Sequence, residues 1–63
     1  MPFLQVNLME GRSEEMKREL IAELTETAHR VLGSPKETIR VQLIEVPTTN
    51  WGIAGKTAKD LGR

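Results

Sequence analysis

The 63-residue chain has no cysteine, no tyrosine, a single histidine and only two aromatic residues, Phe3 and Trp51. Each shortage removes a class of function. Without cysteine there is no disulfide framework, thiolate metal site or cysteine nucleophile, and one histidine leaves too few ligands for a His-based metal centre. No metal is therefore expected. Lys plus Arg and Asp plus Glu number 9 each, so no excess of positive charge is available for a nucleic-acid face. No apolar run approaches the roughly 20 residues of a membrane span, and the first residues lack the charged-then-apolar layout of a signal peptide. These absences predict a soluble, cytoplasmic chain with neither nucleic acid nor membrane as partner. They also pose an energetic problem, because below about 70–80 residues a lone core seldom supplies more than roughly 3–5 kcal/mol. With disulfides and metals excluded, self-association is the remedy that remains.

What is present is one switch of periodicity, from two to 3.6 and back, over a single domain of residues 1–63. In residues 2–9, Leu4, Val6 and Leu8 alternate with Gln5 and Asn7, the pattern of a strand with one buried face. Glu10-Gly11-Arg12 reads as a turn. Ser13 stands at an N-cap, with Glu14 and Glu15 in the first turn where acids complement the helix dipole. The reciprocal capping box is incomplete, since Met16 occupies its third position. Met16, Leu20, Ile21, Leu24, Ala28, Val31 and Leu32 then form a helical stripe that ends at Gly33 and Pro35. Ile39 to Val46 is a second strand, with Ile39, Val41 and Leu43 on one face and Arg40, Gln42, Ile44 and Val46 on the other. Strand, helix and strand make a βαβ unit with parallel strands. Beyond Pro47, the turn-rich segment around Trp51-Gly52-Ile53-Ala54-Gly55 is expected to form a small hairpin or arm. Two parallel strands under one helix leave a sheet face and both edges open, so topology also calls for pairing between copies.

Four residues could carry chemistry. Removal of Met1 would make Pro2 the N-terminus and expose a secondary amine, which burial or nearby cations must acidify before it is free at neutral pH. Taken alone, the plainer reading of Pro2 is a residue that opens an edge strand. Arg12, beside the positive end of the helix, suits an anion, although by itself it reads as a solvated turn arginine. Arg40, set among apolar neighbours, needs a partner; an interfacial ion pair with a glutamate and a functional role stand about level. Trp51 is a packing anchor or a pocket wall. His29 lies off the stripe and is expected in solvent, and Glu14, Glu15, Lys17, Arg18, Glu19, Glu23, Glu26 and Arg30 read as a polar helix face.

Together, Met1-Pro2-Phe3, Glu10-Gly11-Arg12-Ser13, Arg40-Val41 and Trp51-Gly52-Ile53-Ala54-Gly55 resemble the 4-oxalocrotonate tautomerase family in order and spacing across nearly the whole chain. The resemblance implies an α+β fold, a βαβ unit with a C-terminal hairpin, assembled as a homo-oligomer, usually a hexamer built as a trimer of dimers. It implies a cofactor-free isomerase acting on a small unsaturated 2-hydroxy or 2-oxo carboxylic acid such as 2-hydroxymuconate. In that scheme Pro2 is the general base, Arg12 binds a distal carboxylate, and Arg40 engages the other carboxylate and the carbonyl oxygen as charge develops. Trp51, where the family commonly has Phe, helps form the apolar wall around the Pro2 amine. Relatives that dehalogenate chlorinated acrylates need a further arginine ahead of Arg12 and an acid near the tail. Here Leu8 and Met9 precede the turn and no acid lies between Glu45 and Asp60, which disfavours hydration chemistry.

Strand length tests the assembly. From Pro2 to Arg12, about nine steps of roughly 3.3 Å separate the backbones by about 25–30 Å, further than one side chain spans. If both serve one site, Arg12 comes from another chain, as antiparallel edge pairing of first strands about a two-fold axis allows. Arg40 opens a strand parallel to the first and so lies at the Pro2 end; the resemblance implies that yet another subunit supplies it to the site. The rival expectation is a non-catalytic oligomeric βαβ scaffold or anion-binding module that uses its arginines in ion pairs.

Overall fold

Alternation of Leu4, Val6 and Leu8 with Gln5 and Asn7 becomes strand β1 (Phe3–Met9) in the computed structural model, which describes residues 2–63. Met1, and with it the removal expected to free the Pro2 amine, lies outside the described residues. Helix α1 (Glu14–Leu32) follows, then strand β2 (Arg40–Val46) and a hairpin of β3 (Gly52–Ile53) and β4 (Lys56–Thr57). The helix begins where Ser13 takes extended backbone and its Oγ accepts the Met16 N–H at 3.1 Å. It ends where the Gly33 N–H donates to the His29 carbonyl at 2.9 Å.

β1 and β2 pair in parallel, from Phe3 opposite Arg40 to Met9 opposite Val46. The ladder extends at both ends, through the Arg40 N–H to the Pro2 carbonyl at 3.1 Å and the Glu10 N–H to the Val46 carbonyl at 2.9 Å. Leu4, Val6, Leu8, Val41 and Leu43 share the half-buried face, whereas Gln5, Asn7, Arg40 and Gln42 are exposed on the other. Glu45 continues the helix-side alternation of β2 and is ion-paired with Lys17 at 2.8 Å, which fixes that side as the one α1 covers.

Two expectations shift in detail. The second strand was expected from Ile39, but the ladder begins at Arg40. Ile39 instead closes a 3-10 turn at Lys36–Thr38, its N–H donating to the Lys36 carbonyl at 3.1 Å, while its side chain is buried. The helical stripe is only partly covered: Ala28 is buried, but Met16, Val31 and Leu32 are 58%, 65% and 61% exposed. Length explains the ends, since 19 helical residues span about 28 Å and 7-residue strands about 23 Å. The stripe outruns its sheet.

The segment read as a hairpin or arm is a hairpin, preceded by a 3-10 turn at Thr48–Asn50 that the sequence did not announce. Ala58 is fully buried in this tail, and its N–H donates to the Trp51 carbonyl at 2.8 Å. Glu26 and Lys36 are ion-paired between α1 and the turn before β2. The hydrogen bond from Lys36 holds the Glu26 carboxyl below its ordinary pKa, with desolvation opposing and the Lys36 and His29 charges adding to the shift.

The protomer exposes 4793 Å², against about 4,100 Å² for a compact globular chain of its mass. Its radius of gyration is 14.6 Å, where about 11 Å suits this length. Folding alone leaves much apolar surface in water. No helix among the described residues is long and apolar enough to cross a membrane.

The turn between β3 and β4 is Ala54-Gly55, with φ of +53° and +86°. Both signs are those of a two-residue type I′ turn, in which asparagine outranks alanine at the first position. A left-handed alanine costs about 1 kcal/mol. Ala54→Asn is therefore expected to raise the thermal unfolding midpoint and Gly55→Ala to lower it, read by circular dichroism; a lower midpoint for Ala54→Asn would contradict the turn assignment.

Candidate active site

Parallel pairing sorts the four candidate residues into two groups. At one end, the backbone hydrogen bond from Arg40 to the Pro2 carbonyl sets these residues side by side. Pro2 is half-buried and Arg40 exposed. Arg40 was expected to need a partner. The structure supplies a backbone one: Nη1 donates to the Glu37 carbonyl at 2.6 Å, and among the described residues no carboxylate pairs with it. The 3-10 turn missed by pattern therefore orients Arg40. Phe3, opposite Arg40 in the register, is 60% exposed on the same open face.

At the other end, Gly11 at φ +125° turns the chain out of β1, a conformation that side chains resist. Arg12 then folds back, Nη1 donating to the Met9 carbonyl at 2.7 Å. Met9 is seven steps from Pro2, so the guanidinium is anchored about 23 Å from the proline. A cleft of about 380 Å³ opens beside it. Leu8, Met16 and Leu20 make its apolar wall and Arg12 and Lys17 supply cations, with Glu19 and Glu23 completing the lining. Trp51 belongs to this end too: Pro47 follows Val46, and the intervening 3-10 turn advances only about 2 Å per residue. Trp51 is half-buried.

Within one chain, then, Pro2 and Arg40 come together, Arg12 and Trp51 lie beyond the opposite strand ends, and the groups do not meet. His29 is exposed as expected, but its Nδ1 lies 2.7 Å from the Ser34 carbonyl. Among the described residues no three His, Asp or Glu side chains cluster as metal ligands would.

Lys17 and Glu45 escaped the sequence reading, which placed Lys17 on the polar helix face. Two signals were available. Lys17 precedes Leu20, Leu24 and Ala28 at helical spacing and so falls on the inward side, and Glu45 continues the inward alternation of Ile39, Val41 and Leu43. Charges at two inward positions invite pairing.

The family described as Tautomerase enzyme matches residues 2–61. The chain is 48% identical, over the whole length of both proteins, to a 2-hydroxymuconate tautomerase from Comamonas testosteroni. It superposes with a TM-score of 0.94 on a 4-oxalocrotonate tautomerase isozyme from Methylibium petroleiphilum, at 50% identity and covering 98% of this chain and 100% of that one. A heterohexamer 4-oxalocrotonate tautomerase from Chloroflexus aurantiacus aligns with a TM-score of 0.92 at 34% identity, covering 97% and 98% of the two chains. With its fold, its length and residues 2–61 all matched, the chain belongs to the tautomerase enzyme family and is an isomerase.

Proposed function

We propose that the protein is a cytoplasmic, cofactor-independent tautomerase that relocates a proton on a small unsaturated 2-hydroxy or 2-oxo acid, 2-hydroxymuconate or a close analogue. The observation that carries this reading is the backbone hydrogen bond from Arg40 to Pro2, which sets both residues at one end of the ladder, so that subunits meeting there bring a potential base and a cation to one site. Kinship with a 2-hydroxymuconate tautomerase supports the substrate class.

Once Met1 is removed, the Pro2 nitrogen is a secondary amine. It takes the hydroxyl proton of the enol, and the conjugated electrons shift so that negative charge builds on the oxygen that becomes the carbonyl. Arg40 faces that charge and stabilises it, more strongly in a dry site than in water. The protonated proline then returns its proton to carbon, which restores the free amine. Apolar surroundings, to which Trp51 contributes, and the positive charge of Arg40 both favour the neutral amine. Arg12 binds the distal carboxylate by charge-assisted hydrogen bonds.

This assignment requires assembly. Arg12 is anchored at the far end of β1 from Pro2, so a second subunit supplies it to each site. The large protomer surface, the exposed Phe3, Val31 and Leu32, and the heterohexameric state of the Chloroflexus aurantiacus relative support an oligomer, which in this proposal is a homohexamer arranged as a trimer of dimers. Each subunit contributes one domain.

Pro2→Ala is expected to slow ketonisation of 2-hydroxymuconate, followed by ultraviolet absorbance, by about 10²-fold or more; equal rates would rule out the proline base, and equal rates no faster than the uncatalysed reaction would favour a non-catalytic scaffold. Mass spectrometry of the active protein is expected to find Met1 absent. Arg12→Ala should raise KM for the dicarboxylate while leaving kcat nearly intact, whereas Arg40→Ala should lower kcat as well. An equal loss from Arg12→Ala on an enol monocarboxylate would show that Arg12 does not read the second carboxylate.

A further inference from the structure

Three ion pairs are present among the described residues, and they differ in what they join. Arg18 and Glu14 lie one turn apart on α1 and are largely in solvent. Lys36 and Glu26 tie the C-terminal half of the helix to the turn before β2. Lys17 and Glu45 alone link α1 to the sheet, across 28 residues of sequence, at 2.8 Å and with side chains only 29% and 28% exposed. This pair sits where Arg12 is presented. Lys17 lines the same cleft as Arg12, and its N–H makes the first helical hydrogen bond, to the Ser13 carbonyl at 3.1 Å. Glu45 is opposite Leu8 in the ladder, one residue before the Met9 carbonyl that receives the Arg12 guanidinium.

We propose that the Lys17–Glu45 ion pair is a positioning strut that fixes the first turn of α1 against the end of β2 and so holds Arg12 in its carboxylate-binding orientation. The inference rests on the reading of Arg12 given above and adds two residues to it. Arg12 has one anchor of its own, a single hydrogen bond to a backbone carbonyl, and it follows Gly11, whose backbone is freer than that of any other residue. The direction of its side chain therefore depends on where the helix start is held. Ser13 caps the helix but makes no bond to the sheet among the described residues; the Lys17 ammonium supplies that tie. A half-buried pair keeps its geometry better than a fully solvated one, because water competes less for both charges. Pairing with Glu45 also limits the ability of Lys17 to bind the substrate carboxylate itself, so discrimination for a dicarboxylate falls to Arg12.

The test is a double-mutant cycle of Lys17→Met and Glu45→Gln, with Lys17→Arg as the conservative control, Arg12→Ala alongside, and circular dichroism to verify folding. Each single variant is expected to raise KM for 2-hydroxymuconate roughly fivefold with kcat within about twofold, because a displaced clamp weakens binding before it affects the proton transfer. The double variant should be no worse than the poorer single one. Lys17→Arg should restore the wild-type KM, and kinetics on an enol monocarboxylate should not change. Unaltered dicarboxylate KM in both singles, additive losses, or equal losses on the monocarboxylate would overturn the strut. A rise in KM for Lys17→Met but not Glu45→Gln would also overturn it, and would make Lys17 a direct ligand. If Arg12→Ala leaves the dicarboxylate KM unchanged, the reading of Arg12 fails and the strut falls with it; a large Arg12 effect beside silent Lys17 and Glu45 variants refutes the strut alone.

Discussion

Parallel pairing of β1 with β2 is the constraint from which the rest follows. Because both strands start at the same end, the register that sets Phe3 opposite Arg40 also brings Pro2 beside Arg40. The same register sends the turn that carries Arg12 and the tail that carries Trp51 to the far end, about 23 Å away. A crossover helix must span that distance to return the chain, and it overshoots, leaving Val31 and Leu32 exposed near the start of β2. One pairing choice therefore fixes the neighbours of the proposed base, separates it from the proposed carboxylate clamp, and leaves apolar surface that folding within one chain does not bury.

Small size acts in the same direction. Among the described residues, Ala28, Ile39 and Ala58 are the buried apolar residues, and two of the three are alanines. A chain with so little interior gains more by covering the outer sheet face and the helix overhang with another subunit than by improving its own packing. In the proposed function, stability and catalysis then share one requirement, since association both covers exposed apolar surface such as Phe3 and delivers Arg12 to a Pro2 it cannot otherwise reach. Local devices serve the same end. Glu37 orients Arg40 through a backbone carbonyl, and Met9 does the same for Arg12.

Elements governed by local periodicity were legible in the sequence. The alternation around Leu4 and Val6, the helix from the Ser13 cap to the Gly33 end, and the faces of β2 all follow from spacing and capping chemistry. The hairpin was only half legible, because its turn uses Ala54-Gly55 where asparagine-glycine would have announced it. The 3-10 turns at Lys36–Thr38 and Thr48–Asn50 carry no periodic signal in three residues. Of the candidate site, strand length alone showed that Pro2 and Arg12 stand apart. What partners Arg40 was not legible, since an arginine that binds a backbone carbonyl leaves no complementary side chain to find. The Lys17–Glu45 pair was hidden for a different reason: each charge looks like ordinary surface until the helix and β2 are packed together.

In the proposed function, one catalytic site draws residues from more than one chain. Pro2→Ala and Arg12→Ala proteins, each assayed at low 2-hydroxymuconate concentration and then unfolded, mixed and refolded together, test it most directly. Random mixing gives about a quarter of the sites an intact Pro2 from one subunit and an intact Arg12 from another, so the mixture should exceed the mean of its two parents by a wide margin. A mixture no more active than that mean, with hybrid oligomers demonstrated by native mass spectrometry, would contradict the shared site.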